Sequence, residues 1–408
     1  MKKNKFIYFP SVSSGAFGNI AIKNGGVGAY GLDIKYWNKE TYGDDAYPYI
    51  LVTAGHRIRN SDVRKDFSLS KDVLLMSDSG GYQVATGAIQ YTPELVKRLL
   101  KWTEDNFDIG MNLDIPPRMN YAGKFKYALN ESLNNFKYFI DNRSNSNCSM
   151  LNVMQGSDYD SYKYWYDAVS KYKFEGWSLG GVSSVFKLFI NLEILLKHGN
   201  ILEDESIKYF HHLGTSKLND LVILMYIQQK FTEAGSNIIV TSDSSSPSLG
   251  AVYGRVATTL NTKQFNINHI KVPSYKTSKQ YLIDNSENIL PEMGRYSKYI
   301  SSNFNYQSMI DCYEDDSITV QDMNAILVLH NLGVYIDSIE KLRSILDSGT
   351  FMYEQFFSND LLMIFKAVDD IFAGAAYESI IAKYGNILYR YSQEQGEIDE
   401  TLTEQFWD

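Results

Sequence analysis

Three aspartates stand where buried strands are predicted to end. Asp78 follows the third of eight short apolar segments, Asp114 follows the fourth, and Asp243 follows the eighth. A single aspartate at such a turn is usually a helix cap. Three together suit the cleavage of a glycosidic bond, in which one carboxylate meets the positive charge that develops at the sugar carbon and a second group transfers the proton of the base. A carboxyl group takes that second role when burial or a neighbouring negative charge raises its pKa.

An amide and two glycines end two further segments. Gln155 follows the fifth segment, and Gly180 and Gly181 follow the sixth. Guanine presents N1–H and an exocyclic amine, which an aspartate accepts, and it presents O6 and N7, which a glutamine amide and backbone N–H groups bind. Glycine lets the backbone approach a flat base closely, and an aromatic side chain such as Tyr82 can stack on it. The pattern therefore indicates a purine site.

The elements that must position these residues alternate along the chain up to Asp243. Eight strands alternating with helices predict a (β/α)8 TIM barrel, in which catalytic groups lie at the carboxyl ends of the strands. A doubly wound open sheet has the same local pattern and stays open as an alternative. The predicted strands are Phe6–Phe9, Tyr49–Thr53, Val73–Ser77, Ile109–Leu113, Met150–Met154, Gly176–Leu179, Tyr209–Leu213 and Asn237–Thr241, and the predicted helices include Pro93–Asn106, Lys126–Asn142, Asp160–Tyr172 and Asn219–Ala234.

Beyond Asp243 the pattern changes. Ser244–Lys279 is predicted to be rich in loops and is the candidate for contact with a nucleic-acid backbone, with an ordinary solvated loop as the alternative. A helical period returns in Val320–Leu346, and a second helical segment, Phe351–Gln393, follows Gly349. These changes predict a barrel domain at residues 1–346 and a helical C-terminal extension at residues 347–408. The basic residues predicted to bind nucleic acid are Arg255, Lys263, Lys271 and Lys276.

The charge of the chain is unevenly distributed. The net charge is −9, but residues 1–310 hold 34 basic and 29 acidic side chains, and residues 311–408 hold 5 and 19. The first part can therefore present a basic face to a nucleic acid. Without an apolar run of about 18 residues or a secretory signal, we expect a cytoplasmic protein. Two widely separated cysteines, Cys148 and Cys312, predict neither a disulfide framework nor a structural zinc site.

The same residues lie in motifs that resemble those of the tRNA-guanine transglycosylases. Asp78-Ser-Gly-Gly-Tyr-Gln83 is similar to the family's DSGGFQ, and Asp243-Ser-Ser-Ser-Pro247 keeps the spacing of its DCVMP. The motifs follow the family's order from Asp78 to Leu332, which implies a transglycosylase barrel over about residues 6–346. The other similar segments are Asn112-Leu-Asp-Ile-Pro-Pro117 (FDECTP), Val153-Met-Gln-Gly156 (IQG), Leu179-Gly-Gly-Val182 (GGL), Tyr209-Phe-His-His-Leu-Gly214 (YLMGVG) and Leu329-His-Asn-Leu332 (HNL).

The resemblance implies that guanine in a nucleic acid is exchanged for a free 7-deazaguanine base through a covalent aspartyl intermediate. It makes Asp243 the nucleophile at the sugar C1′ and Asp78 the general acid/base. Homodimers are common in the resembled family, so the chain is a candidate homodimer. The residues implied to bind the base are Ser79, Tyr82, Asp114, Gln155, Gly180, Gly181 and His211.

Departures from the family's pattern bear on the substrate and the cofactor. The region of roughly 255–320, where the family has a C-x-C-x₂-C…H zinc site, holds a single cysteine, so we expect no zinc and no other cofactor. Ser248 and Leu249 replace arginines that follow the nucleophile, and His211 replaces a methionine that sandwiches the base. The zinc module and nearby basic residues help to hold tRNA in the family. The altered region after Asp243 and the long C-terminal extension favour a related branch, which inserts 7-deazapurines such as 7-cyano-7-deazaguanine (preQ0) into DNA.

Three other interpretations stay open on the sequence. The first is the same exchange on tRNA, which assays on both polymers would separate. The second is a subunit that binds nucleic acid without catalysis, although this chain keeps both Asp78 and Asp243. The third is a sugar-active barrel that pairs Asp78 with Asp114, which leaves the glycine turns and Gln155 unexplained.

Overall fold

Eight parallel strands form one sheet that closes on itself. The computed structural model describes residues 5–12, 15–23, 31–59, 62–117, 125–182, 184–215, 217–262, 265–271, 280, 283–287, 294–300, 305–314 and 320–394. The strands of the sheet are β1 Ile7–Pro10, β2 Tyr49–Thr53, β3 Leu74–Asp78, β4 Ile109–Met111, β5 Ser149–Met154, β6 Gly176–Leu179, β7 Tyr209–His212 and β8 Ile239–Ser244. They follow one another in chain order, β1 pairs with β8, and a parallel bridge between Ser11 and Leu51 joins β1 to β2. The chain is a (β/α)8 TIM barrel, and the doubly wound sheet is excluded because its strand order would reverse.

The predicted strands match the observed ones to within three residues at each end. Most of their side chains are buried, because helices cover the outside of the sheet and side chains from the other strands fill its inside. Polar residues appear where the strands end, as in Ser77-Asp78 of β3 and Ser242-Asp243 of β8. The strand ends therefore concentrate the polar groups of the barrel at one rim.

The helices of the barrel begin at residues that cap them. Thr92 accepts a hydrogen bond from the Leu95 N–H at the start of the helix that opens with Pro93. The four predicted helices are confirmed to within three residues. The helices within the described ranges are α1 Gly15–Lys23, α2 Lys39–Tyr42, α3 Ala54–Arg57, α4 Val63–Asp66, α5 Gly81–Ala85, α6 Pro93–Asn106, α7 Phe125–Asn142, α8 Tyr159–Val169, α9 Val185–Lys197, α10 Leu218–Glu233, α11 Ser246–Val252, α12 Tyr306–Glu314, α13 Val320–Asp347, α14 Thr350–Phe356, α15 Asn359–Phe372 and α16 Tyr377–Glu394.

The segment predicted to be rich in loops is more regular than expected. Helix α11 follows β8 at once, and an antiparallel hairpin follows it, with strands β9 Arg255–Asn261 and β10 Asn266–Lys271. The prediction for Ser244–Lys279 was wrong over these elements. Its many polar residues lie on the exposed side of the hairpin, while Val256 and Ala257 are fully buried against the rest of the fold. The long helix α13 packs on both α11 and β9.

The C-terminal helices pack on the barrel of their own chain. The ring of Tyr226 on α10 stacks on Phe365 of α15 at 4.2 Å, and Tyr159 at the start of α8 stacks on Tyr377 of α16 at 5.5 Å. Each such pair contributes about 1 kcal/mol beyond the area it buries. The segment predicted as one helical stretch is divided into three helices, and Gly374, at φ +92°, ends the second of them.

Candidate active site

Asp78 and Asp243 lie at the same rim of the barrel. Asp78 is the last residue of β3, and Asp243 is the fifth residue of β8, paired in register with Phe9 of β1. The two carboxylates are close enough for the charge of Asp243 to raise the pKa of Asp78. The residues implied to act as nucleophile and as acid/base therefore interact electrostatically.

The carboxyl group of Asp78 is partly buried, in a setting that favours its protonated form. Burial raises its pKa to about 6, and the charge of Asp243 adds to the rise. Hydrogen bonds from the Gly80 N–H, at 3.1 Å to Oδ1, and from Thr53 oppose it. Gly80 adopts φ +80°, a backbone conformation that favours glycine and that allows its N–H to turn back towards Asp78. A carboxyl group with this pKa can both give and take a proton near neutral pH.

The Asp243 carboxylate accepts a hydrogen bond from the turn after β7 and lies near a histidine of β7. Its Oδ1 accepts a hydrogen bond of 2.8 Å from the Gly214 N–H, and His211 Nε2 lies 3.4 Å from the same oxygen. Gly214 has φ +71°, which again favours glycine. The Asp243 side chain retains 12% of its exposure, so substrate can reach it while most of the group is enclosed.

His211 is fully buried and is fixed from the other side of its ring. Its Nδ1 lies 2.7 Å from the hydroxyl of Thr241, the residue to which it is paired in the sheet. Thr241 and Asp243 are two residues apart on β8 and therefore face the same side of the strand. Sequence reasoning missed Thr241. The signal that could have found it is this spacing, since a threonine two residues before a functional aspartate lies beside it.

His212, the next residue of β7, faces the opposite side of the sheet and lines a cavity of about 360 Å³ behind the rim. Burial lowers its pKa to about 4, so its imidazole is neutral at physiological pH. Gly214 and Ser246 border the same cavity, which therefore adjoins the turn that binds Asp243.

Asp114 and Gln155 form a second buried pair at the rim. Gln155 Nε2 donates a hydrogen bond of 2.7 Å to Asp114 Oδ2. Burial raises the pKa of Asp114 to about 7, and the negative charge of Asp78 adds to that rise. Asp114 is 5% exposed and so is Gln155. The hydrogen bond thus fixes the Gln155 amide and the Asp114 carboxyl group relative to each other, so that their remaining donors and acceptors have defined positions.

The glycines predicted to contact a base lie against this pair. A Cβ atom at Gly180 would overlap with the Gln155 side-chain amide, and one at Gly181, which has φ +65°, would lie 3.1 Å from Gln155 Oε1. Gly81 was not predicted to contact a base, but a Cβ atom there would lie 2.6 Å from the Asp114 carbonyl oxygen. Side chains at these positions would displace the two polar groups, which gives the glycines a steric reason to be there.

The remaining predicted site residues differ in their placement. Ser79 is buried beside Asp78, whereas Tyr82 on α5 is 53% exposed at the surface. Arg255 and Lys271 are exposed and pair directly across the β9–β10 hairpin. Lys263 and Lys276, which were also predicted to bind nucleic acid, lie outside the described residues.

Two general features bear on other classes of protein. Within the described ranges, no group of three or more His, Cys, Asp or Glu side chains is arranged to hold a metal ion. Over those same ranges, no helix combines the length and the apolar character needed to cross a membrane.

Comparison with known proteins adds little to this geometry. No protein-family model matches the chain, and no curated protein matches it significantly in sequence. Among solved structures the chain is similar to a fructose-bisphosphate aldolase from Campylobacter jejuni, with 10% sequence identity and a TM-score of 0.40 over 83% of this chain and 91% of that chain. A similarity of this size carries no argument about chemistry.

Proposed function

We propose that the protein is a guanine transglycosylase that exchanges guanine in a nucleic acid, with DNA favoured, for a free 7-deazaguanine base such as 7-cyano-7-deazaguanine. The observation that supports the proposal is that two carboxyl groups in electrostatic contact have different surroundings. Asp78 is partly buried, and desolvation raises its pKa to about 6, while Asp243 receives a backbone N–H and faces an imidazole. Carboxyl groups with separated environments divide acid/base and nucleophilic work between them.

In the first half of the exchange, a carboxylate oxygen of Asp243 attacks C1′ and forms a C–O bond as the bond from C1′ to guanine N9 breaks. The electron pair of that bond leaves with the base, and Asp78 supplies the proton that the departing guanine takes up. In the second half, the nitrogen of the incoming base attacks C1′, Asp243 departs as a carboxylate, and Asp78 accepts the proton of the new base. One N-glycosidic bond replaces another, so the reaction needs no external energy source.

Recognition of the base is assigned to Asp114, Gln155 and the glycine turn at Gly180. Asp114 in its ionised form accepts N1–H and the exocyclic amine, and these donors stabilise that form against the burial that raises its pKa. The Gln155 amide and the Gly181 N–H serve O6 and N7, because the Gly180 N–H already donates to the Met154 carbonyl oxygen. Guanine and 7-deazaguanines share the N1, amine and O6 edge, so one platform serves both the leaving and the arriving base.

The preference for DNA is supported by what the chain lacks in comparison with the tRNA enzymes it resembles. Residues 255–320 contain one cysteine, and Ser248 and Leu249 stand where arginines would follow the nucleophile. The basic residues Arg255 and Lys271 lie instead on a hairpin next to the rim. Such side chains bind the phosphates of a nucleic acid, which DNA and tRNA share. Base exchange measured on both polymers therefore distinguishes the two substrates.

The test is base exchange with radiolabelled guanine carried in duplex DNA, single-stranded DNA and tRNA, each incubated with 7-cyano-7-deazaguanine. We expect release of labelled guanine from DNA by the wild type and none by Asp243→Ala. Exchange into tRNA alone would overturn the DNA preference. Binding of all polymers with release from none would favour the subunit that binds without catalysis.

A further inference from the structure

An apolar surface is exposed immediately after the strand that carries Asp243. Leu249, Val252 and Tyr253 on and after α11 are 49%, 53% and 70% exposed, and Ile270 on β10 is 39% exposed. Leu249 and Tyr253 line the same cavity, and large apolar side chains exposed next to each other usually mark a binding surface. We call these four residues the α11–hairpin surface.

The cavity beside this surface is lined by two cations. It has a volume of about 420 Å³, and Lys217 and Arg255 are among its lining residues, whereas no carboxylate is among those described. Arg255 is paired with Lys271 across the hairpin, which adds a further positive charge at its edge. In a chain of net charge −9, this concentration of cations around an exposed tyrosine is complementary to a polyanion.

The surface is continuous with the candidate active site. Strand β8, which carries Asp243, ends at Ser244, and helix α11 begins two residues later at Ser246. Lys217 and Ser246 line both this cavity and the one next to Gly214. A strand whose target nucleotide reaches Asp243 must therefore pass close to the α11–hairpin surface.

We propose that the α11–hairpin surface binds a single nucleic-acid strand next to the target nucleotide, with an unpaired base stacked on Tyr253 and phosphates at Arg255 and Lys271. The proposal rests on the proposed function for its choice of polymer. Base stacking on an aromatic ring together with cationic contact to the backbone is the usual mode of single-strand binding. A second copy of this chain fits less well, because two copies meeting at this surface would bring like charges together.

The test uses a fluorescent oligothymidylate, which contains no guanine and therefore reports binding without exchange. We expect Tyr253→Ala to weaken its binding about tenfold, as loss of one stacked base implies, and Tyr253→Phe to bind like the wild type. The matched control is Tyr389→Ala, because Tyr389 is 50% exposed on α16. We expect Arg255→Gln to reduce the slope of log Kd against log salt concentration by about 0.7.

The outcomes separate this proposal from the proposed function. Binding that depends on Tyr253 while no polymer undergoes exchange would keep the surface and refute the transglycosylase. Normal exchange, together with equal oligothymidylate binding by wild type and Tyr253→Ala, would refute strand binding at this surface and leave the transglycosylase proposal intact. A dimer in sedimentation that dissociates on Tyr253→Ala would also overturn it, since the apolar side chains would then bind a second copy.

A second inference comes from the contacts of His211. Its Nδ1 faces the Thr241 hydroxyl at 2.7 Å, and its Nε2 faces Asp243 Oδ1 at 3.4 Å. If Thr241 donates its proton to Nδ1, the ring carries its own proton on Nε2 and presents a donor to the carboxylate. The opposite tautomer would place the Nε2 lone pair against a negatively charged oxygen, which is repulsive.

We infer that Thr241 and His211 are positioning residues that orient Asp243. The Gly214 N–H donates to Oδ1 and His211 Nε2 lies 3.4 Å from the same oxygen, so Oδ2 is the oxygen presented to C1′. The distance of 3.4 Å is long for a hydrogen bond, as is common in sites without substrate, and it shortens when the carboxylate is drawn into reaction. After attack, Oδ1 is the carbonyl oxygen of the ester and keeps both donors.

Thr241→Val removes the hydroxyl with little change of shape, and Thr241→Ser restores it. We expect Thr241→Val to lower kcat on the order of tenfold with KM little changed, and Thr241→Ser to recover most of it. Nitrogen-15 NMR of histidine-labelled protein reads the tautomer of His211 without any reaction, with His211→Gln as the variant that assigns its signals. A proton on Nδ1 in the wild type, or an unchanged kcat in Thr241→Val, would overturn the inference.

Discussion

Aspartate side chains on the two sides of the barrel rim have different surroundings. On the side of β3 to β5, Asp114 is buried and Asp78 is partly buried, and desolvation raises their pKa values to about 7 and about 6. On the side of β7 and β8, Asp243 receives the Gly214 N–H and faces His211. Chemically identical carboxyl groups can therefore take different roles, because the fold surrounds each with different donors and a different degree of burial.

The largest expected effect comes from removing the group on the β7–β8 side. Asp243→Asn should abolish guanine exchange, a loss of about 10⁴-fold or more, because no other group can form the covalent bond to C1′. Denaturing gel electrophoresis should show a covalent protein–DNA complex for the wild type and none for this variant. A covalent complex that still forms with the variant would show that another residue is the nucleophile, and the proposed difference between Asp243 and Asp78 would be wrong.

Asp78→Asn should slow the exchange by about 10²- to 10⁴-fold, since proton transfer is lost while the nucleophile remains. The pH profile of kcat should show a transition near pH 6 in the wild type, set by the raised pKa of Asp78, and the variant should lack it. A wild-type transition that persists in Asp78→Asn would assign the proton transfer to another group.

Asp114→Asn should change the stability of the protein and its binding of the base, and the two effects can be measured separately. The folded-state pKa of about 7 exceeds that of an unfolded aspartate, so the folded protein binds this proton more tightly. The stabilisation is therefore present below about pH 4 and is lost as the pH rises to about 7. At pH 8 the variant should be more stable than the wild type by on the order of a few kcal/mol, with the gain gone at pH 4, as calorimetry can measure.

The same variant should raise KM for the incoming base by about 100-fold, because asparagine offers an amide donor towards the N1–H of the base. Equal KM values for wild type and variant would remove Asp114 from base recognition without touching the stability argument.

Gly180→Ala has the smallest expected effect. Its Cβ would displace the Gln155 amide and raise KM for the base by about tenfold, with kcat less affected. The matched control is Gly235→Ala, where a Cβ atom meets open space and φ is +76° at the end of α10. The control should lose about 1 kcal/mol of stability and keep its KM. A similar KM increase in both variants would attribute the effect to general destabilisation.

Much of the fold could be predicted because strand signals are local. The apolar runs that became β2 and β6 were predicted with their observed limits, and the barrel follows from their alternation with helices. The β9–β10 hairpin was not predicted, because its strands are polar on the exposed face and are stabilised by burial of residues such as Val256 against α13. Such contacts between distant segments leave little periodicity in either segment.

The sequence by itself determined which residues stand at the strand ends, because the spacing of Asp78, Asp114, Gln155 and Asp243 after apolar runs is a property of the linear chain. Only the tertiary structure decided their surroundings. The Thr241–His211 contact, the Gly214 N–H on Asp243 and the burial that separates Asp114 from water all join residues that lie far apart in sequence. Proton affinity depends on the local solvent, charges and donors, and these exist only once the barrel has closed.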